Sequence, residues 1–394
     1  MIKSIVIKNF KSLSDLSLKL YPMTVIIGDN ASGKSSFLQA IDFLCCSVRE
    51  DFENWLERRR LIVDDIRSRI NPTDSPKFHI DIEIHDDAHC VHKYTWNLET
   101  HLQKEKNCVL LGYESVDVDG KNVFTYVNTK SAKERISDLS TLVFMEGMEI
   151  HSSYLKLIGP SSSIWQDIAP LKKFLSESNS FELLSPEDMR LSSRGSGNDI
   201  GPSGRNLPSF IGKMTMEQKS SYMKKIICIL DGRISNVSTV SSRKAGWTKI
   251  NTTEQFPDRE IFVNSSDISD GTLRILALAA ISEIKSGECV MLLDEIENGI
   301  NTSYAKRVLD ILEDMYESSG HQLLLTTHST VFLDYVNPQN IIFLYRDNNG
   351  NTLGNSFSEN EQMRHILKAL YPGEIVLNLS QTELREKILG GNRG

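Results

Sequence analysis

The chain has 394 residues, 40% of them apolar and 24% charged, so it is long enough for one large domain with insertions or for two domains. The formal net charge of −8 argues against a broad surface that coats nucleic acid, although a local basic patch is compatible with it. The sequence shows neither a secretory signal nor an apolar run of about 18 residues, so we expect a cytoplasmic protein with no membrane association.

The N-terminal segment predicts three strands and a glycine-rich loop. Residues 2–10 and 16–20 alternate between apolar and polar side chains, which is typical of half-buried strands. Residues 23–27 are continuously apolar, as in a central strand. The next eight residues, Gly-Asp-Asn-Ala-Ser-Gly-Lys-Ser, match the P-loop pattern G-x-x-x-x-G-K-S, and a helix is predicted from Ser35 to about Val48.

The P-loop pattern indicates that the chain binds a nucleoside triphosphate, expected to be ATP, together with Mg²⁺. Its glycines allow a tight turn whose backbone N–H groups point at the phosphates, and the helix adds the positive end of its dipole. Lys34 would place a positive charge on the outer phosphates, and the Ser35 hydroxyl would bind Mg²⁺. The predicted nucleotide-binding residues of this segment are Gly28, Asp29, Asn30, Ala31, Ser32, Gly33, Lys34, Ser35 and Ser36.

The middle of the chain predicts a block of antiparallel sheet followed by a less regular region. Residues 50–70 are typical of a helix, and alternating segments between 78 and 127 predict antiparallel strands. Residues 128–190 are mixed and expected to be helical in part. Residues 191–209, rich in Gly, Ser and Pro, predict a loop, and 210–230 predict an amphipathic helix before a few short strands that lead to residue 263.

The C-terminal part alternates helices with short apolar strands. Helices are predicted at 271–286 and 302–319, and strands at 289–293, 322–326 and 341–345. This alternation is typical of a parallel α/β sheet. The remaining residues, 346–394, predict a turn and one or two helices.

Two acids follow the apolar run 290–293. Asp294 and Glu295 would emerge at the carboxyl edge of the sheet, where ligands of α/β proteins bind. Asp294 is predicted to hold Mg²⁺, directly or through water, and Glu295 to orient and deprotonate the attacking water. The alternative for these acids is a solvated turn after a strand, which the upstream P-loop disfavours.

Two further motifs fit the same site. His328 follows the apolar strand 323–325 and could donate a hydrogen bond to the γ-phosphate, although a lone histidine in this position is more often structural. Ser269 is a good N-cap for the helix that begins at the sequence Ser-Asp-Gly-Thr-Leu-Arg, and the N–H groups there form a second anion site. By itself this second motif is weak, because many helices begin in this way.

The order P-loop, Ser-Asp-Gly helix start, Asp-Glu and Thr-His-Ser resembles that of the ABC-type ATPases. The opening Ile-Lys-Ser-Ile-Val-Ile-Lys-Asn-Phe-Lys-Ser and the P-loop are similar to the branch that holds the Rad50, SMC, RecF and OLD (overcoming lysogenisation defect) ATPases. The resemblance covers about residues 1–48 and 260–345. It implies an α/β fold of the P-loop NTPase class: an ABC-type ATPase head with an antiparallel β block and a helical insertion.

The resemblance also implies domain boundaries. Residues 1–130 would form the N-terminal part of the ATPase core, and 131–258 a helical, loop-rich insertion. Residues 259–345 would complete the core with the signature motif, the acidic pair and His328, and residues 346–394 would form a C-terminal tail.

In this branch ATP binds between two head-to-tail subunits. The resemblance therefore implies a homodimer or higher oligomer in which Ser269 and Gly271 contact the γ-phosphate held by the other subunit. It places residues 297–300 at the D-loop, with Asn301 where a histidine is often found, and it implies that Lys11 and Ser12 contact the nucleotide. The glutamine of the family's Q-loop has no identifiable match.

The expected partner is a separate effector protein. Several OLD proteins carry a C-terminal Toprim nuclease, but no Asp-x-Asp cluster follows His328, so we do not expect that domain here. The resemblance then favours an ATPase that acts beside a separate nuclease or toxin in bacterial anti-phage defence. The alternative is a RecF- or Rad50-like repair ATPase that acts on DNA. A transporter subunit and an inactive scaffold are less favoured.

Other polar clusters have ordinary explanations. Five histidines between 79 and 101 could form a metal site, but an exposed strand and turn explain them better. The six cysteines include no C-x-x-C pair, which indicates neither a zinc module nor a disulfide framework. Arg58, Arg59 and Arg60 predict a solvated helical face. The arginines near the Gly/Ser loop, which are Arg190, Arg194 and Arg205, are better candidates for a contact that responds to ligand.

Overall fold

The computed structural model describes residues 1–85, 90–128, 142–143, 149–181, 184–195, 199–241 and 246–389. Within this part of the chain, two large sheets enclose a helix between them, and further helices cover the outer face of one sheet. No helix in these ranges combines the length and the apolarity that crossing a bilayer requires.

The described residues form sixteen strands. In chain order they are β1 (Ile2–Phe10), β2 (Leu13–Lys19), β3 (Met23–Gly28), β4 (Lys77–His85), β5 (Val91–Gln103), β6 (Cys108–Val118), β7 (Lys121–Val127), β8 (Leu142–Val143), β9 (Asn179–Ser180), β10 (Ile234–Ser241), β11 (Thr248–Phe256), β12 (Arg259–Asn264), β13 (Val290–Leu293), β14 (Gln322–Thr326), β15 (Ile341–Arg346) and β16 (Thr352–Ser356).

The same ranges contain fourteen α-helices. They are α1 (Lys34–Ser47), α2 (Phe52–Arg58), α3 (Val63–Ile66), α4 (Tyr154–Leu157), α5 (Trp165–Glu177), α6 (Pro186–Arg190), α7 (Leu207–Lys213), α8 (Met216–Ile229), α9 (Asp270–Ile281), α10 (Ala305–Ser319), α11 (Thr330–Leu333), α12 (Glu361–Ile366), α13 (Pro372–Asn378) and α14 (Gln381–Leu389).

The first large sheet is mostly antiparallel and has the strand order β2-β1-β4-β5-β6-β7-β8. Its strands bury alternate side chains, as β4 shows with Phe78, Ile80, Ile82 and Ile84 inside and the residues between them partly exposed. Period-two alternation of this kind is what a sheet with one covered face requires. This sheet corresponds to the antiparallel block that the sequence predicts.

The second large sheet carries the P-loop and is mostly parallel. Its order is β16-β15-β3-β14-β13-β9, so β3 lies in the middle, and only β16 is antiparallel to its neighbour. Strands β13 and β14 are buried along their whole length because both faces of the sheet are covered. The polar residues that follow β3, β13 and β14 therefore meet at one edge.

Helix α1 fills the space between the two sheets. Its apolar side chains point to all sides, and most of them are fully buried, including Phe37, Ile41, Phe43 and Leu44. A helix that is apolar all round belongs in a core. The opposite face of the parallel sheet packs against the second apolar core, which includes residues of α8, α9 and α10.

The structure confirms the predicted α/β class and corrects several elements. The predicted helix 50–70 is wrong, because two short helices, α2 and α3, occupy it. The predicted helix 210–230 is two helices, since α7 ends at Lys213 and Thr215 caps α8 with a capping box to Gln218.

The short strands predicted before residue 263 are present. Within residues 131–258, otherwise expected to be helical and loop-rich, β10 and β11 form a three-stranded sheet that β12 completes. The tail from 346 contains β16, which extends the parallel sheet, followed by three helices where one or two were predicted.

Candidate functional site

The loop between β3 and α1 is built on unusual backbone angles. Gly28 and Gly33 have φ values of 147° and 107°, and Ala31 has a φ of 61°. A Cβ on Gly28 would lie 2.1 Å from the carbonyl oxygen of Leu344, so β15 leaves room only for glycine there. These angles form the tight turn that the P-loop pattern predicts.

The start of α1 has the features of an anion site. Among the described residues, no side chain caps the first turn of this helix, which begins after Gly33. The buried Ser32 hydroxyl likewise has no hydrogen-bond partner within the described part of the chain. Free donors at the positive end of a helix dipole suit phosphate oxygens. Ser36 lies half-buried in the same turn.

The side chain of Lys34 folds back over the loop. Its Nζ atom donates to the carbonyl oxygens of Gly28 and Asp29, each at 2.9 Å. Burial lowers the pKa of Lys34, while the carboxylates of Asp294 and Glu295 oppose that change. The ammonium group therefore lies at the mouth of the loop, next to an acidic cluster.

Asp294 connects the P-loop to the neighbouring strands. Its Oδ2 atom accepts a hydrogen bond of 2.9 Å from the Ser35 hydroxyl, and its Oδ1 atom accepts one from the Thr326 hydroxyl. A hydroxyl and a carboxylate side by side are oxygen ligands of the kind that Mg²⁺ takes in proteins. The residues predicted to hold the metal thus meet in the structure and fit such an ion.

Glu295 follows Asp294 in a left-handed backbone conformation with φ of 48°. Such angles are uncommon outside glycine and occur often at functional sites. Its N–H group donates to Thr326 Oγ1 at 2.8 Å, which fixes the turn, while its side chain remains exposed. Asn298 Nδ2 approaches the Glu295 carboxylate at 3.5 Å. The carboxylate is therefore free to contact a ligand or water at the rim of the site.

His328 lies opposite the P-loop. It lines a cleft of about 420 Å³ together with Gly28, Asp29 and Asn30, and its own side chain is exposed. The carboxylate of Glu297 fixes the chain at His328. One of its oxygens accepts from the backbone N–H of His328 at 2.5 Å, and the other accepts from the Thr327 hydroxyl at 2.8 Å. The histidine thus faces the P-loop across this cleft.

Ser269 and Gly271 form a separate feature at the start of α9. The Ser269 hydroxyl accepts from Thr272 N at 3.2 Å, as an N-cap does. A Cβ on Gly271 would lie 2.3 Å from the carbonyl oxygen of Gly299, so the helix start packs directly on the 297–300 turn. Neither residue lines the clefts beside the P-loop of its own chain.

Two arginines support this helix start. Arg190 donates from Nη2 to the carbonyl oxygen of Ile268 at 2.8 Å and also pairs with Asp270. Burial lowers the pKa of Arg274, against the carboxylates of Asp270 and Glu295. Arg190 was one of three arginines that the sequence marked for a contact that responds to ligand, and it holds the segment before α9.

Lys11 and Ser12 lie on the turn between β1 and β2. The ammonium group of Lys11 donates to the side chain of Gln39 on α1, and burial lowers its pKa to about 8. Ser12 Oγ would lie 3.1 Å from a Cβ on Gly33, so this residue packs on the P-loop. Lys11 therefore contacts the P-loop helix, whereas Ser12 contacts the loop.

Several residues contribute contacts that the motifs do not predict, including Glu297 of the expected D-loop segment. Thr326 orients Asp294, and Glu297 holds the His328 backbone, as described above. Arg346 donates from Nε to the carbonyl oxygen of Ala31 at 2.8 Å. A second cleft beside residues 29–32 is lined by Arg346 and by Arg385 of α14. Arg346 reaches the loop because β15 lies beside β3, and no sequence motif indicates this contact.

Comparisons with known proteins concern the family and the fold of the chain. The family described as "AAA ATPase domain" matches residues 1–270. The OLD nuclease of Thermus scotoductus is 44% identical over 48 residues, which is 12% of this chain and only 9% of that protein. The similarity is thus limited to one short segment, and it does not establish the activity of the whole relative for this chain.

The fold is similar to that of a solved SMC head. A crystal structure of an SMC head bound to the C-winged helix domain of ScpA aligns with a TM-score of 0.51 and 17% identity, covering 92% of this chain and 99% of that one. The SMC head domain of Thermotoga maritima aligns at 13% identity over 90% of this chain and 97% of that one, with a TM-score of 0.44. The family match covers more than half of the sequence, so the chain belongs to the family described as "AAA ATPase domain".

Proposed function

We propose that the protein binds ATP with Mg²⁺, dimerises head to tail around it and hydrolyses it, and thereby controls a separate effector protein. The observation that carries the proposal is the 2.9 Å contact between the Ser35 hydroxyl and Asp294, because it joins the P-loop to the acidic pair. In the proposed complex these two side chains hold Mg²⁺, which neutralises phosphate charge.

In the proposed mechanism, each of the other groups at the site has a separate role in hydrolysis. The P-loop N–H groups and Lys34 bind the phosphates, since the Lys34 side chain folds back over the loop and places its charge there. The exposed carboxylate of Glu295 takes a proton from the attacking water. His328 donates a hydrogen bond toward the γ-phosphate from across the cleft.

The position of the Ser269 motif supports the proposed dimerisation. This motif is exposed at the N-terminus of a 12-residue helix, yet it lies away from the clefts beside its own P-loop. In the proposed dimer, donors at this helix start contact a phosphate held by a second copy. ATP would then favour the dimer because its phosphates interact with donors of both copies, and hydrolysis would remove that difference in affinity.

The proposed output is control of a nuclease or toxin in anti-phage defence. Support comes from the OLD-like motif order and from the short similarity to an OLD nuclease. An SMC head of similar fold is bound to the C-winged helix domain of ScpA, which supports the proposal that this chain also docks another protein. The alternative is a repair ATPase that acts directly on DNA.

The first test uses Glu295→Gln. This variant should bind ATP as tightly as the unchanged protein, fail to hydrolyse it and accumulate as a dimer, because the base is lost while the phosphate donors remain. Calorimetry, phosphate release and light scattering after size exclusion measure the three properties. Lys34→Ala should bind no ATP and stay monomeric, and Glu317→Gln on the exposed side of α10 serves as the matched control.

Two outcomes would contradict the proposal. Turnover of Glu295→Gln at the unchanged rate would place the base elsewhere. ATP binding by that variant without any dimer would refute the head-to-tail arrangement.

The effector is tested with the same variants as bait. Tagged Glu295→Gln, purified with ATP from the native host, should retain a stoichiometric nuclease or toxin that Lys34→Ala does not retain. Recovery of DNA or repair factors in place of such a protein would favour the repair alternative, for which salt-sensitive DNA affinity is the confirming measurement.

A further inference from the structure

Three side chains from distant parts of the chain converge away from the nucleotide site. Glu53 lies on α2, Cys108 begins β6, and His151 lies in the segment before α4. One ligand atom of each, a carboxylate oxygen, a sulfur and a ring nitrogen, lies within 4.8 Å of the other two. Cys108 is buried, while the other two are half-buried, so the cluster is enclosed but open to solvent on one side.

The fold holds these groups in place before any ligand binds. Glu53 Oε1 accepts from Val109 N at 2.8 Å and lies 3.1 Å from His151 Nδ1. The backbone N–H of Phe52 donates to the carbonyl oxygen of His151 at 2.7 Å. A cation would therefore find its ligands already gathered, with little ordering left to do.

The donor set is typical of a borderline transition metal. Thiolate, imidazole and carboxylate are the three ligand types of protein zinc sites, and zinc sites with three protein ligands leave the fourth position for water. A thiolate and a carboxylate together balance the charge of a divalent ion, so the loaded site would be neutral. Burial, with the Glu53 carboxylate adding to it, raises the pKa of the Cys108 thiol, and a bound cation would reverse this.

We propose that Glu53, Cys108 and His151 form a Zn²⁺ site that is separate from the nucleotide site. The ion would join α2, β6 and the segment before α4. Phe52, the neighbour of Glu53, stacks on Phe43 of the P-loop helix with ring centroids 5.0 Å apart. A bound ion would thus stabilise α2, which packs against α1, whether or not the protein hydrolyses ATP.

Among the described residues, the histidines that the sequence marked form no cluster of this kind. In the described residues, His79 pairs with Asn97 at 2.7 Å, His85 with Glu288 at 2.8 Å and His92 with Asp119 at 3.1 Å. Each thus has its own local partner. His89, Asp86 and Asp87 lie outside the described residues. The three proposed ligands are far apart in sequence, which is why cysteine spacing alone gave no indication of zinc.

Cobalt titration without nucleotide tests the proposal. The reference protein carries Cys90→Ser and Cys228→Ser, which remove the two exposed thiols. After treatment with a chelator, it should bind one Co²⁺ per chain and show a thiolate-to-cobalt charge-transfer band, because Cys108 supplies sulfur to the metal. Zn²⁺ should abolish that band by competition and raise the melting temperature.

Two ligand variants in this background decide the assignment. Cys108→Ser should lose the band, and His151→Gln should keep it while weakening metal affinity by more than the ~10–100-fold cost of losing an outer-shell partner. His85→Gln is the matched control and should change neither property. Circular dichroism checks that each variant folds.

The proposal is overturned by either of two results. One is a reference protein that shows no sulfur band and no thermal shift with Zn²⁺. The other is a band and affinity that persist unchanged in both ligand variants.

Discussion

Glu114 is a carboxyl group with no exposure to solvent, in the middle of β6. It accepts hydrogen bonds from Trp96 Nε1 at 2.9 Å, from Ser153 Oγ at 2.6 Å and from Tyr154 N at 2.6 Å. Burial raises its pKa to about 7, although these donors act in the opposite direction. The side chain therefore joins the antiparallel sheet to α4, and the free-energy cost of burying its carboxyl group depends on pH.

Glu114 predicts a falling stability between mildly acidic and neutral pH. The folded protein holds this proton more tightly than the unfolded chain, whose glutamate titrates near 4.5. The stabilisation is thus complete below that pH and is lost as the pH rises through about 7, an effect of about 3 kcal/mol in the free energy of unfolding. Glu114→Gln should remove this part of the pH dependence.

Urea unfolding across that pH range measures the effect. Glu105→Gln, at an exposed turn, is the control and should keep the pH dependence of the unchanged protein. An unaltered slope in Glu114→Gln would show that Glu114 titrates normally.

Residues that belong to a motif were predictable at the nucleotide site, and those that depend on strand order were not. Ser35, Asp294 and His328 stand in recognisable sequence patterns, and the structure brings them to the same edge of the parallel sheet. Thr326 matters because β13 and β14 are neighbours, and Arg346 because β15 lies beside β3. Adjacency of this kind is a property of the folded sheet and leaves no local trace in the sequence.

At the scale of elements, α9 depends on its close approach to the 297–300 turn. Gly271→Ala would place a methyl group 2.3 Å from the carbonyl oxygen of Gly299, so the helix start or the turn must shift. We expect a loss of about 1–3 kcal/mol of stability from this overpacking. ATP affinity of the monomer should persist, whereas the ATP-driven dimer of Glu295→Gln should be lost.

Gly159→Ala is the matched control, because a Cβ there meets nothing within 4 Å. Calorimetry and light scattering on the double variants with Glu295→Gln provide the readouts. A dimer of normal affinity in Gly271→Ala would exclude α9 from the interface.

The elements themselves were predictable wherever burial imposes a clear pattern. Period two revealed the strands of the antiparallel sheet, and continuous apolar runs revealed β13 and β14. The predicted helix 50–70 failed because its polar residues also suit short helices separated by turns. Strand β16 was missed because it is short and contains Gly354, a weak strand residue.

At the scale of the whole molecule, one buried side chain links the two large sheets. Gln322 of β14 accepts from Ile2 N at 2.7 Å through Oε1 and donates to Ile2 O at 2.8 Å through Nε2. Both residues are almost wholly inaccessible to water. The amide thus satisfies the backbone N–H and C=O groups of Ile2 at the start of β1.

Gln322→Met should lower the free energy of unfolding by about 2–4 kcal/mol, because it leaves a buried N–H and a buried C=O of Ile2 without partners. Guanidinium unfolding measures the loss, and Gln362→Met, on an exposed turn of α12, should change stability by less than about 0.5 kcal/mol. Equal stability of the two variants would mean that water replaces the lost bonds.

The central position of β3 has a consequence for synthesis of the chain. Its two neighbours, β14 and β15, are made about 290 residues after the P-loop. At the ~5–20 residues per second of translation, β3 has no partner strand on either edge for about 15–60 s after its synthesis. During that interval an apolar strand with two open edges is exposed on the ribosome. We therefore expect nascent chains stalled before residue 322 to depend on chaperones, and chains released after residue 346 to escape them.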